Sequence, residues 1–295
     1  MSGVDRGWRR IGVLLAALSG LLWLTRWTPE APKGSPPLVA QGAKAIDHLV
    51  LDNGEHLEFH RQHSIWSLQQ PFEAPVSQSR LAALLEVTQI IPRHCYPRPE
   101  PKALKDFRLD PEVVRLTVGA TILLFGGTAP LDRSRYVLLE DRLCLVEDDF
   151  FHALTARATD FVDKKLLGGD PEIHQLELPG LAIHRTADGQ WSGTVALDEA
   201  ARSDLITRWR LARAVEVRRE THAHWLGESV VIGTDQGMVR FQILAKSPEL
   251  VFYREDLGLA YVLGPESARL LLERPEGDSS LEEGQPSSEP SASTP

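Results

Sequence analysis

Between Arg115 and Leu167 the apolar residues fall into short runs separated by Gly, Pro and Asp: Leu116–Val118, Thr121–Phe125, Arg135–Leu139 and Leu143–Val146. Runs of this length bounded by turn formers predict β-strands. From Asp149 to Lys165 the spacing predicts one long amphipathic helix that closes the unit. Further along, Val239-Arg-Phe-Gln-Ile243 alternates apolar and polar side chains. That is the period of a sheet with one buried face and one wetter face.

The same plan occurs twice. Ile46–Leu51 resembles Ile173–Leu178, Leu57–Arg61 resembles Leu181–Arg185, and Leu143–Val146 resembles Leu259–Val262. In each copy the second run leads to a tryptophan, Trp66 or Trp191, and then to an amphipathic helix. The first helix starts at Ser77 and places Leu81, Leu84, Leu85, Thr88 and Ile91 on one face. The second starts at Asp198 and places Ala201, Leu205, Trp209 and Ala212 on one face. Ser and Asp are both good N-caps. Asp149–Lys165 closes one copy and Pro265–Glu273 the other, with Pro265 suited to a first helical position. The offset between copies shrinks from 127 residues (Ile46 to Ile173) to 116 (Leu143 to Leu259), so the repeat is loose.

The predicted fold class is therefore α+β: two loosely repeated units of antiparallel β-sheet with packed amphipathic helices, over 44–170 and 171–275. Two units resting on each other as one body and two independent domains both fit this pattern.

The N-terminus reads differently. Ile11–Leu24 carries no charge, Arg6, Arg9 and Arg10 precede it, and Trp8 and Trp27 bracket it. A helix of about 20 residues is ~30 Å long, the thickness of a bilayer's hydrocarbon core. We expect a cytoplasmic N-terminus over 1–10, a transmembrane anchor over 11–27, and everything beyond Trp27 outside the cytoplasm. A cleaved signal peptide is the competing reading. Leu24-Thr25-Arg26-Trp27 offers no small-x-small cleavage site, and Ala40-x-Gly42 is far downstream. Residues 28–43, with Pro29, Pro32, Pro36 and Pro37, read as a semi-rigid linker. Residues 276–295, rich in Ser, Glu and Pro, read as a disordered acidic tail.

Composition narrows the function. The chain has 295 residues, 42% hydrophobic and 25% charged, as a folded protein should. Much of its net charge of −9 sits in the tail, at Glu276, Asp278, Glu282, Glu283 and Glu289. The sequence has no concentrated basic stretch, so nucleic acid is not an expected partner. Cys95 and Cys144 are too few for a zinc site or a disulfide framework. One bridge within the first unit and two separate thiols both remain open, with Cys95 placed in a Pro-rich loop.

No catalytic, cofactor-binding or metal-ligating residue is assigned. His56, His60 and His63 lie close together in sequence, as do His222 and His224, but a third ligand of matching type is not evident. They read as exposed polar positions, and His60 and His184 as equivalent positions of the two hairpins. Gly126-Gly127-Thr128 lacks the Lys-Ser/Thr ending of a phosphate loop and reads as a β-turn. Glu147, Asp148 and Asp149 read as helix-capping acids rather than a catalytic pair. Gly277–Leu281 is only superficially like a serine-hydrolase motif, because the tail holds no base against Ser279.

Several of these segments together resemble the bacterial domain-of-unknown-function 4340 family. They are Trp66 with Pro71 before a helix, Arg135-Tyr136-Val137 after Gly126-Gly127-Thr128, Arg135–Leu154, Asp163–Leu167, and Leu181–Trp191 before another helix. The resemblance covers roughly 46–210. Its motifs are structural. Members resemble membrane-anchored envelope proteins whose genes often lie beside ABC-transporter components of the gliding-motility type. The resemblance thus implies a non-enzymatic, single-pass inner-membrane protein with a periplasmic interaction domain, an accessory to such a system, without cofactors. A periplasmic glycan- or peptide-binding module using the groove between the units is one alternative. A metal-dependent hydrolase around the histidines is another.

Overall fold

The computed structural model describes residues 36–130, 133–195, 197–221 and 225–273. The expected anchor at 11–27, the first half of the linker, His222, His224 and the acidic tail lie outside the described residues.

Two antiparallel sheets carry the fold. The first is built from β1 (His48–Asp52), β2 (His56–Gln62), β3 (Ile65–Gln70), β4 (Ala74–Pro75), β5 (His94–Pro97), β6 (Val114–Val118), β7 (Thr121–Thr128), β8 (Arg135–Leu139) and β9 (Arg142–Val146). Helix α1 (Gln78–Thr88) lies between β4 and β5, and the single turn α2 (Phe151–Leu154) follows β9. The second comprises β10 (Ile173–Leu178), β11 (Leu181–Arg185), β12 (Trp191–Gly193), β13 (Glu216–Arg219), β14 (Ser229–Thr234), β15 (Gly237–Ala245), β16 (Leu250–Arg254) and β17 (Leu259–Leu263). Helix α3 (Glu199–Leu211) lies between β12 and β13, and α4 (Pro265–Leu272) follows β17.

The strand orders are β4-β3-β2-β1-β6-β7-β8-β9-β5 and β12-β11-β10-β14-β15-β16-β17-β13. Apart from the extra edge strand β4, one order maps onto the other strand for strand. In both, the strand after the long helix returns to the far edge and pairs with the last strand of the meander. The duplication read from sequence is thus a duplication of topology. Most of the loss in offset falls between β5 and β6. There the first copy inserts a 3-10 helix, Pro101–Phe107, and among the described residues the second copy has none.

Each sheet buries one face under its helix. Leu49, Leu51, Leu57 and Phe59 of the first hairpin alternate inward against Leu81, Leu84 and Val87 of α1. Leu205 and Trp209 of α3 enter the second core beside Phe252, Phe241 and Tyr261. Asp198 caps α3 by accepting a hydrogen bond from the Ala201 amide at 2.7 Å. Ser77 holds the N-cap position of α1 without a side-chain capping bond. Ile91, expected on the buried face of α1, lies past the helix end and is exposed.

The long closing helix expected over Asp149–Lys165 does not form. After α2 the chain makes a 3-10 turn, Ala158–Phe161, and then runs extended. The turn joining β1 to β2 stops the helix. Asn53 Nδ2 donates to the carbonyls of Leu154 (2.8 Å) and Ala156 (2.9 Å), and Glu55 accepts from the Ala158 amide (2.9 Å). Asn53 takes two carbonyls and Glu55 an amide that further turns of helix would use. Propensity and periodicity yield to tertiary hydrogen bonds.

The acids before that turn also serve differently from expectation. Asp148 pairs with the buried Arg135, Nε to Oδ1 at 2.5 Å and Nη2 to Oδ2 at 2.8 Å, and Glu147 pairs with Arg93 at 2.5 Å. The Arg135 guanidinium also donates to the Gly126 carbonyl at 2.6 Å and lies 3.3 Å from the centre of the Phe151 ring. Gly126-Gly127 is no turn. It forms a bulge within β7, directly under the inserted 3-10 helix. A Cβ on Gly126 would lie 2.3 Å from the Phe107 carbonyl oxygen, so only glycine allows this close approach.

Cys95 lies on edge strand β5 rather than in a loop, directly opposite Cys144 of β9, and the two are disulfide-bonded with Cα atoms 4.1 Å apart. The described end of the linker is also anchored. Leu38 and Val39 are buried, and their amides donate to the Ile90 and Thr88 carbonyls at the end of α1.

This packing ranks the tryptophans. Trp66 (4% exposed) and Trp209 (0%) are core residues, whereas Trp191 is only half-buried at the rim of the second core. Trp66→Ala and Trp209→Ala should each cost about 3–5 kcal/mol in urea melts, and Trp191→Ala clearly less. The bridge closes a loop with a sequence separation of 49. Replacing both cysteines by serine should lower stability by up to about 4 kcal/mol, measured as a reduced urea midpoint.

Candidate functional site

Two places on the molecule bring together polar groups from separate segments. The first is a groove where the two units meet. Phe161 belongs to the first core, and its neighbour Val162 to the second. From there a strap, residues 162–167, runs between the units, extended as far as Lys165 and turning at Leu166 and Leu167. The Asp163 amide donates to the Pro75 carbonyl (2.9 Å) on one side. On the other side the Leu166 amide donates to the Ala212 carbonyl (3.0 Å), and the Ala214 amide to the Lys164 carbonyl (2.8 Å). Phe72 packs against both cores and lies 5.3 Å under the Arg219 guanidinium. The units therefore rest on each other.

Beside the strap is a cavity of about 640 Å³, lined among others by Trp66, Ser77, Asp163, Lys165, Arg213 and Arg254. Lys165 Nζ donates to the Gly169 carbonyl (2.7 Å), and Arg254 is paired with Asp256 at 2.5 Å. Tyr261 is fully buried in the second core. Burial pushes its phenol up to about 12, against the opposing influence of the Arg254 charge. It stays neutral across the physiological range. The groove is thus basic at its rim, and its one aromatic among these residues, Trp66, is turned into the core.

The second place is on the open face of the first sheet. β1 and β2 pair with His48 directly opposite His60, and Glu58 lies two residues before His60 on the same face. Glu58 Oε1 accepts from His60 Nε2 at 2.8 Å and from His48 Nε2 at 3.1 Å. The two imidazole rings are 4.4 Å apart. Hydrogen bonds from His60 and then His48 hold the Glu58 carboxyl below its usual range, against the opposing effect of burial.

Of the histidines grouped in the sequence, His60 alone among the described residues takes part. His56 Nδ1 lies 2.6 Å from Asp52 Oδ1 of its own hairpin, and His63 occupies the β2–β3 turn with φ of 48°. His184 faces Gln175 across β10 and β11, in the second unit. His48 and Glu58 are the residues that sequence grouping misses, because they are near in space through pairing rather than through spacing. The signal is present all the same. A hairpin turning at Asn53–Glu55 places His48 and His60 equally far from its tip.

These features define a class: a duplicated α+β module, cross-linked in its first copy, with its two units joined by a half-buried strap. The chain belongs to the family described as Domain of unknown function (DUF4340), whose model matches residues 66–224. That span runs from Trp66 through α1, the disulfide and the strap to beyond β13, so it straddles both units. No curated protein and no solved structure matches the chain.

The Glu58 shift has a testable sign. A carboxyl whose pKa is lowered on folding contributes stability that is present above its unfolded value and lost as pH falls through the folded one. Glu58→Gln should therefore be less stable than the parent at pH 7, and the gap should shrink as pH falls below the ordinary carboxylate value of about 4.3. Urea midpoints measured from pH 7 to pH 3 check this, and a gap independent of pH would contradict it.

Proposed function

We propose that this chain is a non-enzymatic, single-pass inner-membrane protein whose folded part lies in the periplasm and contacts other proteins. The observation that carries this reading is the Cys95–Cys144 disulfide, which uses the two cysteines of the sequence. Stable disulfides belong to oxidising compartments. The uncharged run Ile11–Leu24, with its arginines on the N-terminal side, supports the same placement of residues beyond Trp27. Among the described residues no helix is long and apolar enough to cross a membrane, so the anchor in this proposal is the N-terminal segment alone.

The partner in this reading is an envelope ABC-transporter system, to which the protein is an accessory. It rests on the family's resemblance to proteins encoded beside such components. The groove beside the strap supports a second reading, a periplasmic module that binds a peptide or glycan. Its basic rim suits an extended peptide with acidic groups. A sugar-stacking platform needs an exposed aromatic, and Trp66 is buried.

A reporter active only in the periplasm, fused after Pro295, tests the topology. Activity in the membrane fraction is expected. Activity in a soluble, shortened product beginning near Lys44 would mean that the N-terminal segment is a cleaved signal. In cells, Cys95 and Cys144 should resist alkylation until a reductant is added; cysteines labelled without reductant would place the fold in a reducing compartment.

A further inference from the structure

We propose that His48, Glu58 and His60 form a divalent-cation site of the zinc class on the open face of the first sheet. The three ligand atoms lie within 4.8 Å of one another. In a tetrahedral zinc site with bonds of ~2.0–2.1 Å, neighbouring ligand atoms are separated by ~3.3–3.4 Å. Glu58 Oε1 is already 2.8 Å from one imidazole nitrogen and 3.1 Å from the other. Those two edges open by a few tenths of an ångström to admit a cation, and small side-chain rotations draw the two nitrogens together.

The backbone supplies the rest of the preorganisation. His48 and His60 are opposite each other in a regular antiparallel ladder, with the His48, Val50 and Asp52 side of β1 facing away from Leu49 and Leu51. Sites built on paired strands are held more closely than sites on loops. The side chains of His48, Glu58 and His60 are 39%, 30% and 40% exposed, so solvent reaches them. Two imidazoles and one carboxylate are the donor set of three-ligand zinc sites that keep a fourth position for water. The nitrogen donors disfavour magnesium and calcium, which prefer oxygen throughout. On binding, each Nε2 presents its lone pair to the cation while its ring proton resides on Nδ1. The Glu58 carboxylate exchanges its two N–H contacts for the metal.

The second copy provides an internal control. The matched sheet positions there are Gln175 for His48, Ala182 for Glu58 and His184 for His60. Only one of the three donors remains, yet the sheet is built in the same order. The fold therefore does not need the triad. Its two imidazoles and carboxylate in the first copy are extra to the architecture.

That control also supplies the variant. His48→Gln with Glu58→Ala gives the first hairpin the residues that the second already carries, so it should fold. Isothermal titration of the full chain in mild detergent with zinc chloride at pH 7.5 should find one strong site. The double variant should bind zinc at least about 100-fold more weakly, more than is typical for losing an outer-shell partner. Its melting temperature in EDTA establishes that it is folded. If it melts early, His48→Gln alone repeats the comparison. Cobalt(II) should give the visible absorption of a four-coordinate site in the parent and none in the variant. Absence of a one-to-one zinc site in the parent would overturn the proposal. So would a site of equal affinity in the folded variant, which would place the zinc on other histidines, or magnesium binding as strong as zinc.

Discussion

The architecture depends on the strap that leaves the first core at Phe161 and enters the second at Val162. Adjacent residues serving different cores leave the chain no slack between the units. The strap then hydrogen-bonds to Pro75 on one side and to Ala212 and Ala214 on the other, and buries Leu166 and Leu167. A helix there would satisfy its own backbone and could bridge nothing. An extended segment offers its amides and carbonyls sideways, and both units take them. The Asp163-Lys-Lys-Leu-Leu167 motif belongs to this joint, with Lys164 Nζ donating to the Val215 carbonyl at 2.6 Å. The family model spans both sides of the strap, which agrees with the joint being part of the fold rather than a linker between separate domains.

Duplication with a shared strand order lets the two copies diverge where the fold does not constrain them. The first carries a disulfide on its far edge strand, a 3-10 helix over β7 to β9 and a polar triad at the opposite end of the same sheet. The inserted helix covers Leu104, Leu109, Leu138 and Leu143, a small second core on what would otherwise be the wet face. Its approach requires Gly126, and the Arg135–Asp148 pair braces the bulge beneath it. The second copy keeps the sheet and the long helix without the disulfide. In its interior Phe241, Phe252, Tyr261 and Trp209 are in contact.

Much of this is legible in the residues. Strand runs such as Ile173–Leu178 and Leu181–Arg185 coincide with the observed strands, and both long helices start after the expected caps. Those features are local: period, turn residues and N-caps act within a few positions of themselves. The expected closing helix fails for the complementary reason. Its periodicity is genuine, but Asn53 and Glu55, a hundred residues earlier, take over its backbone groups. The candidate metal triad is partly hidden in the same way. His60 stands out among neighbouring histidines, while its spatial partners His48 and Glu58 emerge only once β1 and β2 are paired in register.

The sequence by itself determined the α+β class, the doubling of the unit, and the two long helices with many of the strands beside them. These follow from hydrophobic period and turn chemistry, which the chain expresses locally and twice over. Only the tertiary structure decided that Cys95 meets Cys144, that Gly126 lies beneath a crossing backbone, that the segment after Leu154 is a strap, and that His48, Glu58 and His60 converge. Each of these is a contact between residues distant in sequence or on different strands. Such contacts depend on which segments come together and on competition for backbone hydrogen bonds, and the spacing of apolar residues within one segment fixes neither.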